Sequence, residues 1–180
     1  MQFCARSCPN LSKIMLGDNP ISEIVGDEVL HNLSALSLQK TQLNSWTSLN
    51  PLRMFPALTD LRISEIPLFE SLSAKSCRYL VLGRLKQITK LNGSPVTDSE
   101  RKDAEKYYLQ QCHAEFIELD DGKREEFMQE NPRYEELLQF YGTPSLSGDP
   151  DEPETLAGGL ISMWYECKNS ILMENRINAS

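Results

Sequence analysis

A single α/β solenoid, built from short repeated coils and closed by a helical cap, is the fold class that the sequence predicts. Three features support it. One apolar frame occurs three times, apolar residues at helical spacing lie between and after these segments, and a charged helix begins where the frame stops. The chain has 180 residues, enough for one solenoid with an appendage but cramped for two full domains.

The repeated frame is the strongest of these features. The segments LSKIMLGDNPI, LSALSLQKTQL and LTDLRISEIPL follow one another at steps of 22 and 25 residues. Each reads L-x-x-[L/I]-x-[L/I]-x-x-[N/T/I]-x-[L/I], which is typical of a leucine-rich repeat with short parallel strands on its concave face. The asparagine-type position, which bonds the loop backbone, holds Asn19, then Thr41, then Ile66, so we expect it to weaken along the array.

Between the strands, the sequence predicts helical or irregular returns on the convex side. The segment SWTSLNPLRMFPAL places Trp46, Leu49, Leu52 and Phe55 at spacings of 3 to 4 residues, which indicates packing residues. The segment SAKSCRYLVLGRL, after Ser71, has the spacing of a helix.

A solenoid leaves an apolar face at its end and therefore needs a cap. We expect a last, degenerate coil over Leu85 to Val96, with Gly93 allowing the turn. Thr97 and Glu100 have the spacing of a capping box and predict the start of a helix. Three residues of that helix are expected to face the leucine core, namely Ala104, Tyr107 and Tyr108.

A second short helix is predicted in the segment NPRYEELLQFYG. Asn131 is the expected N-cap, Pro132 the first helical residue and Gly142 the stop signal. Its apolar row, which needs a surface to pack on, consists of Tyr134, Leu137, Leu138 and Tyr141. The acidic stretch before it is interpreted as a solvated helical face.

These elements give the predicted domain organisation. Residues 1–96 form leucine-rich repeats from the C-terminal part of an array, and 97–142 form the helical cap with the following helix. Residues 143–159 are a linker rich in Pro, Gly, Ser and acid, and 160–180 a remnant strand or disordered, flexible tail.

Charge and composition limit the possible binding partners and the cellular location. Eighteen basic and 26 acidic residues give a formal net charge of −8, which disfavours nucleic acid and anionic membrane as partners. The N-terminus lacks the apolar core of a signal peptide, and the five scattered cysteines are typical of reduced thiols. We therefore expect a cytoplasmic protein.

The sequence offers little for catalysis, and we expect a protein that is not an enzyme and carries no cofactor or metal. Cys112 and His113 are adjacent on a predicted helix and point in different directions, so they form no ligand pair. Cys4 and Cys8 lack the second pair that a zinc site requires. Phosphate-binding glycine motifs and the G-x-S-x-G motif are absent from the sequence.

Two segments resemble one known family. ITKLNGSPVTDSERKDAEKYYL, followed about twenty residues later by NPRYEELLQFYG, is similar to the tubulin-folding cofactor E and cofactor E-like family, as are the repeats before it. The resemblance covers roughly Pro9 to Tyr141. The L-N-G-x-x-V-T-x-x-E-R cap alone is shared with other short-repeat solenoids, whereas its combination with R-Y-x-E-L-x-x-x-Y-G is more specific.

The resemblance implies a tubulin-binding chaperone module. It would assist α-tubulin folding, or assembly and dissociation of the α/β-tubulin heterodimer, by binding alone, with α-tubulin and other tubulin cofactors as partners and a cytoskeleton-associated location. Compared with the full family proteins, the chain is expected to be truncated at both ends. It lacks the CAP-Gly glycine motif, and GLISMWYEC matches only the first strand of a ubiquitin-like domain. An uncapped first repeat would also favour self-association.

The repeat frame predicts the partner-binding surface. Strand residues between the inward leucines project onto the concave face of the solenoid. We call the following nine the concave-face residues: Lys13, Met15, Asp18, Ser37, Gln39, Lys40, Asp60, Arg62 and Glu65.

Two other functions remain open at this point. A phosphatase-regulatory or other scaffolding solenoid, not specific for tubulin, would normally have more regular repeats of about 22 residues and would lack NPRYEELLQFYG. An RNA-associated solenoid is disfavoured by the acidic charge and the absence of a basic patch. Because tubulin is itself acidic, the net charge does not favour tubulin either, and basic residues such as Lys40 and Arg62 would have to steer binding.

Overall fold

A computed structural model describes residues 10–25 and 29–145 of the chain. Its centre is a five-stranded sheet in the order β1-β2-β3-β4-β5. The first four strands are parallel neighbours, and β5 returns antiparallel to β4. The strands are β1 Lys13–Met15, β2 Ala35–Ser37, β3 Asp60–Arg62, β4 Lys90–Leu91 and β5 Ser94–Pro95.

The strand register confirms the three predicted repeats. Lys13 pairs with Ala35, and Ala35 pairs with Asp60, so the register follows the same steps as the repeated frame in the sequence. Asp60 in turn pairs with Lys90 in the fourth, degenerate coil. Consecutive coils therefore stack as parallel strands, which is the architecture of a leucine-rich-repeat solenoid.

The main core lies behind the sheet, where the central residue of each strand meets the convex returns. Ile14, Leu36, Leu61 and Leu91 are aligned across the sheet, and the last three are at most 2% exposed. The return after β2 is a 3₁₀ helix, Thr47–Met54. As predicted, this return supplies packing residues: Leu49, Leu52 and Phe55 are fully buried, and Trp46 packs against the same cluster.

Four helices follow the third repeat. Their bounds are α1 Ala74–Arg84, α2 Asp98–Ile117, α3 Asp121–Glu130 and α4 Tyr134–Tyr141. The Thr97 side chain accepts a hydrogen bond from the Glu100 backbone N–H at 3.1 Å, so the predicted N-cap of α2 is confirmed. Of the three residues expected to face the core, Ala104 and Tyr108 are fully buried, and Tyr107 is half-buried.

The predicted start of the last helix was wrong by two residues. Asn131 was the expected N-cap, but it ends α3, and α4 begins at Tyr134 after the N-cap residue Arg133. The Asn131 side chain is occupied elsewhere: it donates to the Phe127 carbonyl and accepts from Arg84. A side chain with these partners does not cap the next helix. The C-terminal stop was right, because Gly142 follows α4 with φ 77°.

Part of the predicted organisation lies outside the described residues. This holds for Cys4, Cys8, most of the predicted linker and the whole of 160–180. The four-part domain division stays a prediction.

Candidate functional site

The concave face is built by the period-two alternation of the short strands. In each strand the central residue points into the core, so its two neighbours point away from it. The register aligns these outward residues across the sheet in two rows. The first row is Lys13, Ala35, Asp60 and Lys90, and the second is Met15, Ser37 and Arg62.

Asp18, Lys40 and Glu65 were expected on the strands, but the strands are only three residues long, so these residues lie in a third row at the turns that follow. Asp18, Lys40, Glu65 and Asn92 have φ values of 59°, 55°, 54° and 52°. These are the left-handed values that non-glycine residues adopt rarely. The same turn geometry therefore recurs in four successive coils, whatever residue type occupies it.

Most of the nine concave-face residues are accessible. Gln39 and Asp60 are half-buried, and Ser37 is only 2% exposed, so Ser37 offers a partner almost no surface. Ser37 lies on the central of the first three strands, between longer side chains in register with it. The remaining six are exposed: Lys13, Met15, Asp18, Lys40, Arg62 and Glu65.

Charges on this face are partly paired between neighbouring coils. Lys90 Nζ lies 3.1 Å from Asp60 Oδ2, and Lys40 Nζ lies 3.9 Å from Asp18 Oδ1. Both pairs keep exposed or half-exposed side chains, so each contributes little to stability. Sequence reasoning missed Lys90, although its place in the degenerate fourth coil, before Leu91, carried the signal.

Two basic residues on the face have no such partner. Within residues 10–25 and 29–145, the structure shows neither an ion pair nor a hydrogen bond for the side chains of Lys13 and Arg62. Both side chains are exposed. Their charges are therefore available to a bound molecule.

Asn92 closes the sheet after the third full repeat. Its Oδ1 accepts from the Ile63 N–H at 2.7 Å, and its Nδ2 donates to the Ile63 carbonyl at 2.8 Å. The side chain thus makes the two bonds that a further strand residue would make. Asn92 and Gly93, at φ 52° and 85°, then turn the chain into β5. The L-N-G triplet carried this signal in the sequence.

Two arginines join the last coil to the cap, and each is the arginine of one of the two motifs that carry the family resemblance, although sequence reasoning assigned neither of them a structural role. Arg101, on α2, donates to the carbonyls of Leu82, Leu85 and Ile88, which lie at and beyond the C-terminal end of α1. Arg133, before α4, donates to the Gly83 carbonyl at 2.6 Å. These hydrogen bonds connect the end of the solenoid to the helices of the cap.

Arg78 joins α1 to α2 through an ion pair with Glu100. Its Nε and Nη2 lie 2.5 and 2.9 Å from the two carboxylate oxygens of Glu100, which makes the pair bidentate. Hydrogen bonding to Arg78 lowers the pKa of Glu100, so this carboxylate stays ionised at neutral pH. Glu100, the predicted capping-box residue at the start of α2, therefore also links α2 to α1.

The described residues show no assembled reactive centre. The Cys112 thiol lies 3.5 Å from Asn131 Oδ1, whereas His113 Nδ1 lies 2.8 Å from the Tyr134 hydroxyl, so the two neighbours have different partners. Burial raises the pKa of Cys77 to about 11, which keeps its thiol protonated. No group of potential metal ligands occurs among the described residues, and no helix in that part of the chain is long and apolar enough to cross a membrane.

Comparison with known proteins points to one group. No protein-family model matches the chain. It is 33% identical over 140 residues to the human tubulin-specific chaperone cofactor E-like protein, covering 74% of this chain and 30% of that protein. It is 30% identical over 172 residues to tubulin-folding cofactor E of Arabidopsis thaliana, covering 88% and 32%. Among solved structures, the Drosophila melanogaster SNF/U2A' complex matches with a TM-score of 0.48 and 23% identity, over 64% of this chain and 60% of that one.

The chain thus spans about a third of the length of these curated relatives. The aligned part includes most of the described repeats and cap, because it covers about three quarters or more of the chain. In sequence, the chain is a relative of the tubulin-folding cofactor E and cofactor E-like proteins.

Proposed function

We propose that the chain is a tubulin-binding chaperone module of the cofactor E type. It would assist α-tubulin folding, or assembly and dissociation of the α/β-tubulin heterodimer, in the cytoplasm and at the cytoskeleton. The observation that carries this proposal is the sequence similarity, over most of the chain, to proteins named for tubulin-specific chaperone activity. Other tubulin cofactors would be further partners.

The concave face is the surface that supports binding best. Its strands are fixed by the parallel sheet, and the Asn92 side chain and the arginine contacts secure the last coil. A surface that is already ordered loses little conformational entropy on association. The exposed residues also combine both charges with the apolar Met15, which suits recognition of another protein.

The proposed mechanism is binding without covalent chemistry. A rigid curved sheet stabilises whichever tubulin conformation fits it better, and it shifts the folding or dimerisation equilibrium by that difference in affinity. A chaperone that works in this way needs no nucleophile and no cofactor. This fits relatives that are named as chaperones and folding cofactors.

Size-exclusion chromatography of the purified chain with native tubulin dimer tests the proposal. We expect co-elution with tubulin, lost in Lys40→Glu/Arg62→Glu, which reverses two charges on the concave face. Lys102→Glu/Lys106→Glu makes the same change in net charge at two exposed positions of α2 and should co-elute like the wild type. The chain run alone reports self-association.

The outcomes separate the two remaining functions. Failure of the wild-type chain to change the elution of tubulin would contradict the tubulin proposal and favour a leucine-rich-repeat scaffold for another protein. Co-elution that survives both double variants would keep tubulin as the partner but place it away from the concave face.

A further inference from the structure

The middle strand of the first three carries the shortest side chains on the concave face. Ala35 and Ser37, on β2, lie in register between Lys13 and Met15 on β1 and Asp60 and Arg62 on β3. The long side chains of the outer strands therefore flank short ones, and Ser37 lies at the bottom with 2% exposure. We call this feature, defined by these six residues, the β2 trough. The backbones of the flanking strands are two strand spacings apart, about 10 Å, and the floor between them is partly exposed at Ala35 and closed at Ser37.

The charge of the concave face, in which the trough lies, differs from that of the whole protein. Across the three rows of the concave face, four basic side chains stand against three acidic ones, whereas the whole chain has a net charge of −8. Asp60 is engaged by Lys90 at 3.1 Å, but within residues 10–25 and 29–145 Lys13 and Arg62 have no ion-pair partner. The two flanks thus each offer one uncompensated positive charge. An anionic segment is the complement that this arrangement fits.

Met15 adds an apolar contact beside these charges. Its side chain is one of four large hydrophobic side chains exposed in the described part of the chain, at 59%, and it lies two residues from Lys13 on the same side of β1. Methionine adapts its shape to a partner because its side chain is unbranched and polarisable. The trough therefore presents an apolar group together with two cations rather than cations alone.

We propose that the β2 trough binds an extended acidic segment of the partner protein. Carboxylates of the segment would pair with Lys13 and Arg62, and an apolar side chain would lie on Met15. This inference rests on the proposed function, since it names the kind of tubulin segment that the concave face recognises, but it can be tested without tubulin.

The first test uses a fluorescein-labelled glutamate-rich peptide with one central leucine, and a control peptide in which every glutamate is replaced by glutamine. Fluorescence anisotropy with the full chain should show binding of the glutamate peptide that weakens as salt is raised, and much weaker binding of the glutamine peptide. Lys13→Glu/Arg62→Glu should reduce the affinity at least about tenfold. Lys102→Glu/Lys106→Glu should leave it unchanged.

A second variant tests the shape of the trough independently of its charge. Ala35→Gln fills the space between the flanks with a neutral side chain, at a position that is partly exposed and not in the core. We expect it to weaken peptide binding with an unchanged circular dichroism spectrum. Equal binding of both peptides, or full binding by both trough variants, would overturn the inference.

The same variants in the tubulin experiment separate this inference from the proposed function. Tubulin that co-elutes equally with the wild type and Lys13→Glu/Arg62→Glu would overturn the trough but leave the tubulin proposal intact. Binding of the glutamate peptide without binding of tubulin would support the trough and reject tubulin as its partner.

Discussion

At the scale of single residues, Gly83 is the position where the packing of the cap depends most on the absence of a side chain. A Cβ added at Gly83 would overlap the Cβ of Tyr108, which is itself fully buried, and would lie 2.8 Å from its Cγ. Neither α1 nor α2 can give way cheaply, because Arg133 also bonds the Gly83 carbonyl. We expect Gly83→Ala to lower the free energy of unfolding by about 3 kcal/mol.

Urea denaturation measures this effect, and Gly122→Ala is the matched control. Gly122 lies in α3 with no atom within 4 Å of an added Cβ, so its substitution should raise the free energy of unfolding by about 0.5 kcal/mol through helix propensity. Effects of the same sign and size at both glycines would contradict the packing argument.

Glu65 has a strained backbone conformation. It occupies the left-handed turn at φ 54°, where Asn92 and Asp18 have side chains that tolerate this conformation better. Glu65→Asn should therefore raise the free energy of unfolding by about 0.5–1 kcal/mol, which is measured as a higher urea midpoint. Glu70→Asn, at an exposed residue with φ −57°, should not. A loss of stability in Glu65→Asn would show that the glutamate side chain does more than occupy the turn.

At the scale of elements, the contact between α1 and α2 depends on the ionised Glu100. Because its pKa is lowered in the folded state, Glu100 adds stability above the ordinary value of 4.5, and this is lost as the pH falls through the lowered pKa. Glu100→Gln should therefore cost about 1–2 kcal/mol at neutral pH. The difference from the wild type should shrink in urea denaturation below pH 4.5. Glu126→Gln, on the exposed side of α3, should show no such convergence with the wild type.

The starts of α2 and α4 show when a local capping signal in the sequence is enough to predict where a helix begins. The start of α2 was predictable because Thr97 caps it through a hydrogen bond within its own turn. The start of α4 was not, because the Asn131 amide bonds Arg84, which is 47 residues away in the sequence. A capping signal is reliable only when no distant partner competes for the same side chain.

At the scale of the whole molecule, the repeat frame predicted which residues share the concave face but not how they interact. Which residues lie on the face follows from period two and one register, both visible in the sequence. The burial of Ser37 and the Asp60–Lys90 pair depend instead on side chains that different coils bring together from distant parts of the chain. Lys90 was missed for another reason, because the fourth coil departs from the repeat frame and its outward residue was not aligned with those of the first three strands.

The solenoid and the cap are expected to unfold as one unit. Arg133, whose side chain is 4% exposed, bonds the Gly83 carbonyl and the Glu105 carboxylate, and Arg84 lies between the rings of Trp46 and Tyr108. Removing one partner of a buried ion pair costs several kcal/mol, so Arg133→Met should lower the free energy of unfolding by about 4 kcal/mol.

The loss should also separate the two parts. In a Trp164→Phe background, Trp46 fluorescence reports the repeats together with the side on which they meet the cap, because Trp46 packs against both clusters, whereas far-ultraviolet circular dichroism reports mainly the helices of the cap. The urea transitions of the two signals should coincide in the parent. In Arg133→Met they should separate, with the dichroism changing at a lower urea concentration than the fluorescence. Arg53→Met removes an exposed arginine from the 3₁₀ helix and should keep the two transitions together. Coincident transitions in Arg133→Met would show that the apolar contacts of α1 with α2 couple the two parts without the arginine.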